Sequence, residues 1–424
     1  MILEKLRNDE INIKIVNILA VIYLFSLTVS YKISGTLIYI ILFIFLLNPK
    51  VGTYLKNSLK NSFVQAGLLY LAVILIWFIG THDLSFAITQ LKINKFYLLP
   101  ILFFAFIRPE YFKYYVLAFI LGAIVNFIWT YLMFFNIIDN HYSNLIINQS
   151  EHAFLIFLTI LSLFYRLVKY EDKLVYKILI IFIILLLSSN VFLLKKTQIV
   201  SYVIVLFVAF IYLYRKDIVK ILIFSLTLLS IFLIGINFLF PTVKYQLLHE
   251  LDGVQKAIQK QDFTNSMSAR LGIAYYSLKV IEDSPIFGYG TGDHAYEVKK
   301  AINNSELKKI IDDSELKNID PKSYNILIRT LITGKHVTLH NTFLQVLVQY
   351  GIIGLLIFLN IFYQILKFTR GETNIYSLLI VSSVTIAFLQ FLSGWDFQFG
   401  NLAQIFIITI CLLILLQSKE KLVR

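Results

Sequence analysis

The chain has 424 residues, of which 58% are apolar and only 15% charged, with a formal net charge of +13. About 25% charged residues is usual for a soluble domain, so the composition excludes an ordinary soluble fold. The positive balance does not indicate nucleic acid either, because the cations cluster at the ends of apolar runs and no basic face with interleaved aromatics occurs.

Apolar runs of membrane-crossing length recur along the chain, which predicts an all-α integral membrane protein. Twelve spans are expected, at about 13–31, 34–48, 63–80, 95–107, 114–135, 154–168, 178–194, 199–214, 221–240, 341–366, 374–392 and 401–417. The first is expected to be a retained anchor, since no small-residue cleavage site follows it. The fourth is short and reads either as a span or as a partly re-entrant continuation of the segment before it. The single cysteine, Cys411, lies inside an apolar run and allows no intrachain disulfide.

An even count puts both termini on one side. With that side cytoplasmic, the inner segments carry 20 Lys and Arg and the short outer segments carry 5, namely Lys32, Lys92, Lys95, Lys195 and Lys196. That asymmetry follows the positive-inside rule. Residues 1–240 then hold spans one to nine, 241–338 form a large outer loop, and 339–424 hold spans ten to twelve. The loop is nearly neutral, with 13 basic and 12 acidic residues. Apolar residues at helical spacing predict helices over 243–258 and 268–281, the second stopped by Ser284-Pro285. Weaker helical patterns follow at 294–318 and 322–332. The expectation is a helical cap lying on the outer face.

The residues with chemical potential lie on that face. His340-Asn341 ends the loop and opens the tenth span, with Gly351 and Gly354 further along it. A continuous helix puts positions 340, 351 and 354 within about 60° of one another. Small residues one turn apart let another transmembrane helix approach closely. His340 then sits at a positive helix end that opposes its protonation, fit to act as general base or to orient a hydroxyl. The plainer alternative is a polar residue capping a helix. Ser268 is expected to cap the second loop helix, placing Arg270 in its first turn, where free N–H groups and a guanidinium fork suit a phosphate; the alternative is a solvated arginine.

Lys195 and Lys196 run against the positive-inside trend, and Lys196 stands before a helix N-terminus, so a phosphate partner would account for both. Lys92 and Lys95 flank the fourth span and either touch pyrophosphate or snorkel to the interface. Asp396, in the short outer turn before the last span, either orients His340 or Arg270 or belongs to an aromatic-belt turn. His294 and His336 are assigned no role. The run Gly288-Tyr289-Gly290-Thr291-Gly292 is no nucleotide fingerprint, since no strand precedes it. No His-Glu-x-x-His or Asp-x-Asp pattern occurs, so neither a metal nor another cofactor is expected.

The spacing His340-Asn341, nine residues, then Gly351-x-x-Gly354 resembles the signature of the O-antigen ligase family, within the superfamily that also holds O-antigen polymerases and protein O-oligosaccharyltransferases. The stretch from Arg270 to Gly292 is similar to the region before that histidine in the ligases. Where the family usually shows an arginine near position 196, this sequence has Lys195-Lys196-Thr197-Gln198. The resemblance implies a GT-C-like membrane fold and a glycosyltransferase of lipopolysaccharide biosynthesis. Its donor would be an undecaprenyl pyrophosphate-linked glycan and its acceptor a lipid A–core hydroxyl, on the periplasmic face of the bacterial inner membrane among membrane lipids. It further implies that His340 handles the acceptor proton while Arg270, Lys196, Lys195 and Lys95 neutralise pyrophosphate. A polymerase or protein glycosyltransferase of the same superfamily stays open. So does a transporter of a lipid-linked glycan or small anion, although the sequence shows neither the paired halves and broken helices nor the mid-membrane charges usual there.

Overall fold

A computed structural model of the protein describes residues 4, 6–138, 149–192, 196–234, 241–260, 266–303, 339–393 and 402–423. Among them the only regular structure is helical: α1 (Asp9–Val29), α2 (Tyr31–Leu46), α3 (Val51–Ser58), α4 (Ser62–Ile76), α5 (Leu84–Asn94), a 3₁₀ turn (Lys95–Leu98), α6 (Leu99–Phe106), α7 (Phe112–Phe134), α8 (Gln149–Lys169), α9 (Leu174–Phe192), α10 (Lys196–Tyr214), α11 (Ile218–Ile234), α12 (Pro241–Lys260), α13 (Ser266–Asp283), α14 (His294–Asn303), α15 (Thr342–Lys367), α16 (Ile375–Ser393) and α17 (Leu402–Val423). A short 3₁₀ turn, Pro109–Tyr111, leads into α7.

All the expected spans but the fourth overlap one of these helices each. Among the described residues six segments are singly long and apolar enough to cross a membrane: Asp9–Val29, Pro109–Met133, Glu151–Lys169, Thr342–Lys367, Ile375–Leu392 and Leu402–Lys419. The helical segments Ser62–Ile76, Leu174–Ser189, Val200–Tyr214 and Ile218–Thr227 are shorter. α2 passes the same test only together with α3, across a 117° bend. The expected fourth span is a broken helical path, in which α5 runs through the 3₁₀ turn into the eight-residue α6, and Pro100 occupies the first turn of α6.

Inside a bilayer, helices are held together by close packing and by hydrogen bonds that polar side chains make between helices. Asn17 of α1 supplies such bonds. Its Nδ2 donates to Phe106 O at 2.9 Å, and its Oδ1 accepts from Arg108 N and the Tyr115 hydroxyl, tying α1 to the end of α6 and to α7. One end of the bundle is marked by the Asp9 carboxylate, which meets Lys50 Nζ at 2.8 Å and accepts from the Tyr54 hydroxyl and Asn48 Nδ2. At the same level Asn12 Nδ2 donates to Ile44 O, so the start of α1 and the end of α2 lie together.

α15 packs between α4 and α16, and its N-terminal half also meets α13 and α14. Its Phe358 and Phe362 stack with Phe391 of α16 in the main apolar core. A second, smaller apolar cluster joins Ala257 of α12, Ala269 and Ile273 of α13, Val298 of α14, and Leu339 and Val348 at the start of α15. The two predicted loop helices are present but longer than expected, as α12 and α13, and a third, α14, follows them. The patterns at 304–318 and 322–332 lie outside the described residues.

Candidate functional site

The site is built where the 284–293 segment meets α15. An unbroken helix would bond the N–H groups of Ile352 and Ile353 to the carbonyls of Val348 and Gln349. Here Ile352 N donates to Pro285 O at 2.9 Å, and Ile353 N to Ile286 O at a longer 3.5 Å. The carbonyls thus released are taken by the segment itself: Tyr289 N donates to Val348 O and Gly290 N to Gln349 O, both at 3.0 Å. The looped chain has entered the helix ladder and satisfies these four groups, as buried backbone requires. Gly351 makes this possible, with φ 61° and ψ −163° in the middle of α15. A Cβ at that position would lie 2.1 Å from Ile286 O.

This corrects the expected continuous stripe. Residues 340, 351 and 354 do not share one helical face, since the helix breaks at Gly351. The small residue there admits a loop backbone and not another transmembrane helix. Gly354 serves the same break from the other side, because a Cβ on it would sit 2.0 Å from Tyr350 Cβ. A broken helix, which the sequence reading associated with transporters, is therefore present, but its break is filled by backbone.

The segment is fixed on its other flank by α4 and α5. Trp77 Nε1 donates to Phe287 O, Thr291 N to Trp77 O at 2.9 Å, and Thr291 Oγ1 to Ile74 O at 2.7 Å. Asp293, fully buried, accepts from Thr81 Oγ1 at 2.9 Å and from the backbone N–H groups of His82 and Asp83 at 3.0 and 3.2 Å. Gly292 N donates to Gln349 Oε1 at 2.6 Å. Burial raises the pKa of the Tyr289 hydroxyl above its ordinary value, with Asp283 and Glu297 adding to the shift, so it stays neutral. Replacing Asp293 with alanine removes the acceptor of the His82 and Asp83 N–H groups while Thr81 Oγ1 keeps Thr291 O at 2.8 Å, and is expected to cost about 2 kcal/mol. The check is thermal unfolding of the purified protein together with protease cleavage within 284–293; a variant as stable and as resistant as the wild type would refute the anchoring role.

His340 sits just before α15 in the left-handed region, at φ 49°, partly exposed beside the buried Leu339. Asn341 caps the helix, its Oδ1 accepting from Leu344 N at 3.1 Å. Arg270 lies on α13, half-buried, next to Ala269, which shares the smaller apolar cluster with Leu339. Its Nε is buried and makes no hydrogen bond among the described residues. Two expectations about this helix change. α13 already starts at Ser266, so Ser268 is buried inside it and is no cap, and Arg270 is its fifth residue, at the start of the second turn.

Lys95 opens the 3₁₀ turn after α5, exposed, with Nζ 3.4 Å from the Tyr39 hydroxyl. Lys196 begins α10, but its side chain, like Lys195, His336 and Asp396, lies outside the described residues. Among the described residues no three His, Cys, Asp or Glu gather in a metal-binding group.

Sequence reasoning missed the roles of Asp293, Gln349 and Gln90. A small cavity of about 30 Å³ lies under the start of α15, where Gln90, Asn94, Thr342, Gln345 and Gln349 stand among apolar side chains such as Phe96, Val346 and Phe358. The readable signal was the spacing of Thr342, Gln345 and Gln349, which puts three polar residues on one face of an apolar helix.

The family model described as O-antigen ligase matches residues 183–359. That stretch takes in Lys196, Arg270, the inserted segment, His340 and the break at Gly351. Over that stretch the chain is similar to members of the O-antigen ligase/polymerase superfamily. Members of this superfamily are glycosyltransferase-like enzymes of membranes, and the match ends eight residues beyond Gly351, so the inserted loop and the broken helix fall wholly inside it. No curated protein matches the chain.

Proposed function

We propose that the protein is an O-antigen ligase, moving a glycan from undecaprenyl pyrophosphate to a lipid A–core hydroxyl at the periplasmic face of the inner membrane. The observation that carries this reading is the His340-Asn341 to Gly351 signature inside the family-matched stretch, with the Arg270 helix packed on the same end of α15. In the reaction, the acceptor oxygen bonds to the anomeric carbon as the bond from that carbon to the pyrophosphate oxygen breaks. His340 takes the proton of the attacking hydroxyl or orients it. Arg270, whose buried Nε has hydrogen-bonding capacity to spare, and Lys196, Lys195 and Lys95 offset the charge on the departing pyrophosphate. With cations in that role no divalent ion is required, and activity is expected to survive chelation. Asp396 is assigned to orienting His340 or Arg270.

Twelve spans, cytoplasmic termini and a helical outer cap over 241–338 complete the proposal. Reporter fusions at the expected outer and inner segments test this topology. The reaction is tested by the lipopolysaccharide gel of a deletion strain. Loss of the ladder with accumulation of lipid-linked polymer supports the ligase. Core bearing a single repeat unit makes the protein a polymerase, and an unchanged ladder removes the reading.

A further inference from the structure

The face of α2 turned away from the bundle carries a groove that none of the roles above uses. Ser34, Ile41 and Phe45 of α2 are fully buried, whereas Lys32, Gly35, Thr36, Tyr39, Ile40 and Phe43 line an open groove of about 520 Å³ on the other side. Tyr39 and Phe43 are 61% and 64% exposed, and a Cβ on Gly35 would meet nothing within 4 Å. The groove is therefore open along its length to whatever lies beside α2, which in a bilayer is lipid.

Its two ends differ in chemistry. At the N-terminal end of α2 stands Lys32, and from the neighbouring 3₁₀ turn Lys95 reaches Tyr39, with Nζ 3.4 Å from the hydroxyl and 5.9 Å from the ring centroid. Neither lysine pairs with a carboxylate of the described residues. Two cations from separate elements thus border the groove, Lys32 in its lining and Lys95 against its Tyr39. Tyr39 follows Lys32 by seven residues, two turns and a rise of about 10 Å along the same helix. Below them the groove is walled by Ile40 and Phe43. An amphiphile with an extended anionic head and a slender apolar tail matches both ends.

Lys95 also lies beside the candidate site in the chain. Asn94, Phe96 and Tyr97, which flank Lys95 in the chain, line the small cavity whose opposite wall is Thr342, Gln345 and Gln349 of α15. A headgroup held at Lys95 is thus one element away from the helix that His340 opens.

We infer that the α2 groove, headed by Lys32 and Lys95, is the docking site for the diphosphate and first isoprene units of the lipid carrier, entering from the membrane beside α2. This rests on the proposed ligase reading for the nature of the lipid, while the site and its residues follow from the groove itself. An ammonium beside an anionic lipid head is worth about 1 kcal/mol, which is roughly a fivefold change in affinity for each lysine removed.

The test uses the full-length protein in nanodiscs and binding of radiolabelled undecaprenyl pyrophosphate. Lys32→Gln and Lys95→Gln are each expected to weaken binding about fivefold and together about 25-fold. Gly35→Leu fills open space on a helix and should block the groove without loss of fold. In transfer assays Lys32→Gln and Gly35→Leu should raise KM for the donor and leave kcat in place, whereas Lys95→Gln should raise KM and lower kcat as well. His340→Asn should bind the probe as the wild type does, which separates docking from chemistry. Unchanged binding by the Lys32→Gln and Gly35→Leu variants overturns the inference. Equal competition by phosphatidylglycerol also overturns it, showing a general anionic-lipid surface. If the variants lose the probe as expected while the wild type transfers no glycan, the docking site stands and the ligase reading falls.

Discussion

His340→Asn is expected to abolish glycan transfer, lowering it by about 10²- to 10⁴-fold, the usual contribution of a positioned acid–base group. Asparagine is the informative substitution because His340 holds φ 49°, a left-handed conformation that asparagine adopts readily. Alanine there adds roughly 1–2 kcal/mol of backbone strain, so a loss of function in His340→Ala mixes chemistry with folding. Complementation of a ligase-null strain, read as the lipopolysaccharide ladder against the amount of protein in the membrane, gives the answer. A full ladder with His340→Asn would remove the histidine from the mechanism. Arg270→Lys keeps the charge but loses the planar fork, so a partial ladder is the expected companion result.

The largest structural effect is expected at Gly351. Alanine there must accept φ 61°, and its Cβ meets a backbone oxygen, Ile286 O, at 2.1 Å. The neighbour is main chain on a segment held from both sides, so it cannot swing away as a flexible side chain would. Moving it breaks the paired bonds from Ile352 and Ile353 to Pro285 and Ile286 and the return bonds from Tyr289 and Gly290. At about 1 kcal/mol for each bond plus the backbone strain, the cost is roughly 4 kcal/mol or more. Gly371 supplies the control. Its φ is also positive, at 78°, but a Cβ there meets nothing within 4 Å, so Gly371→Ala should cost only about 1–2 kcal/mol. The difference between their unfolding temperatures isolates the insertion of the loop. Equal shifts in the two variants would mean that the segment does not depend on the break.

Much of the architecture was legible because a membrane imposes simple demands. Apolar length alone located the helices now seen as α1, α2, α4, α7 to α11 and α15 to α17, since each must satisfy its own backbone in lipid. The broken path from α5 to α6 was harder to read, because eight apolar residues after a 3₁₀ turn carry no span-length signal. The helix break was hidden for a different reason. An isolated glycine in an apolar run is compatible with close helix packing and with a kink, and only the partner segment decides between them. That partner, 285–292, is more than fifty residues away, and its three glycines read as a loose turn until their positive φ values are tied to Gln349, Thr81 and Ala87 nearby. The start of α13 was misplaced by two residues because Ser268 is a good cap by type, yet it is buried in the helix body against the smaller apolar cluster. Asp293 was invisible as an anchor, since its donors are a threonine hydroxyl and two backbone groups with no sequence signature.

Because the 284–293 segment is stitched into α15 and clasped by Trp77, Thr81 and His82, the long polar region is not a detachable module. A chimaera that exchanges 241–338 between relatives will assemble only if positions 74–87 and 348–354 travel with it. Directed diversification aimed at new acceptors therefore has a natural unit made of three distant pieces of sequence that must change in concert.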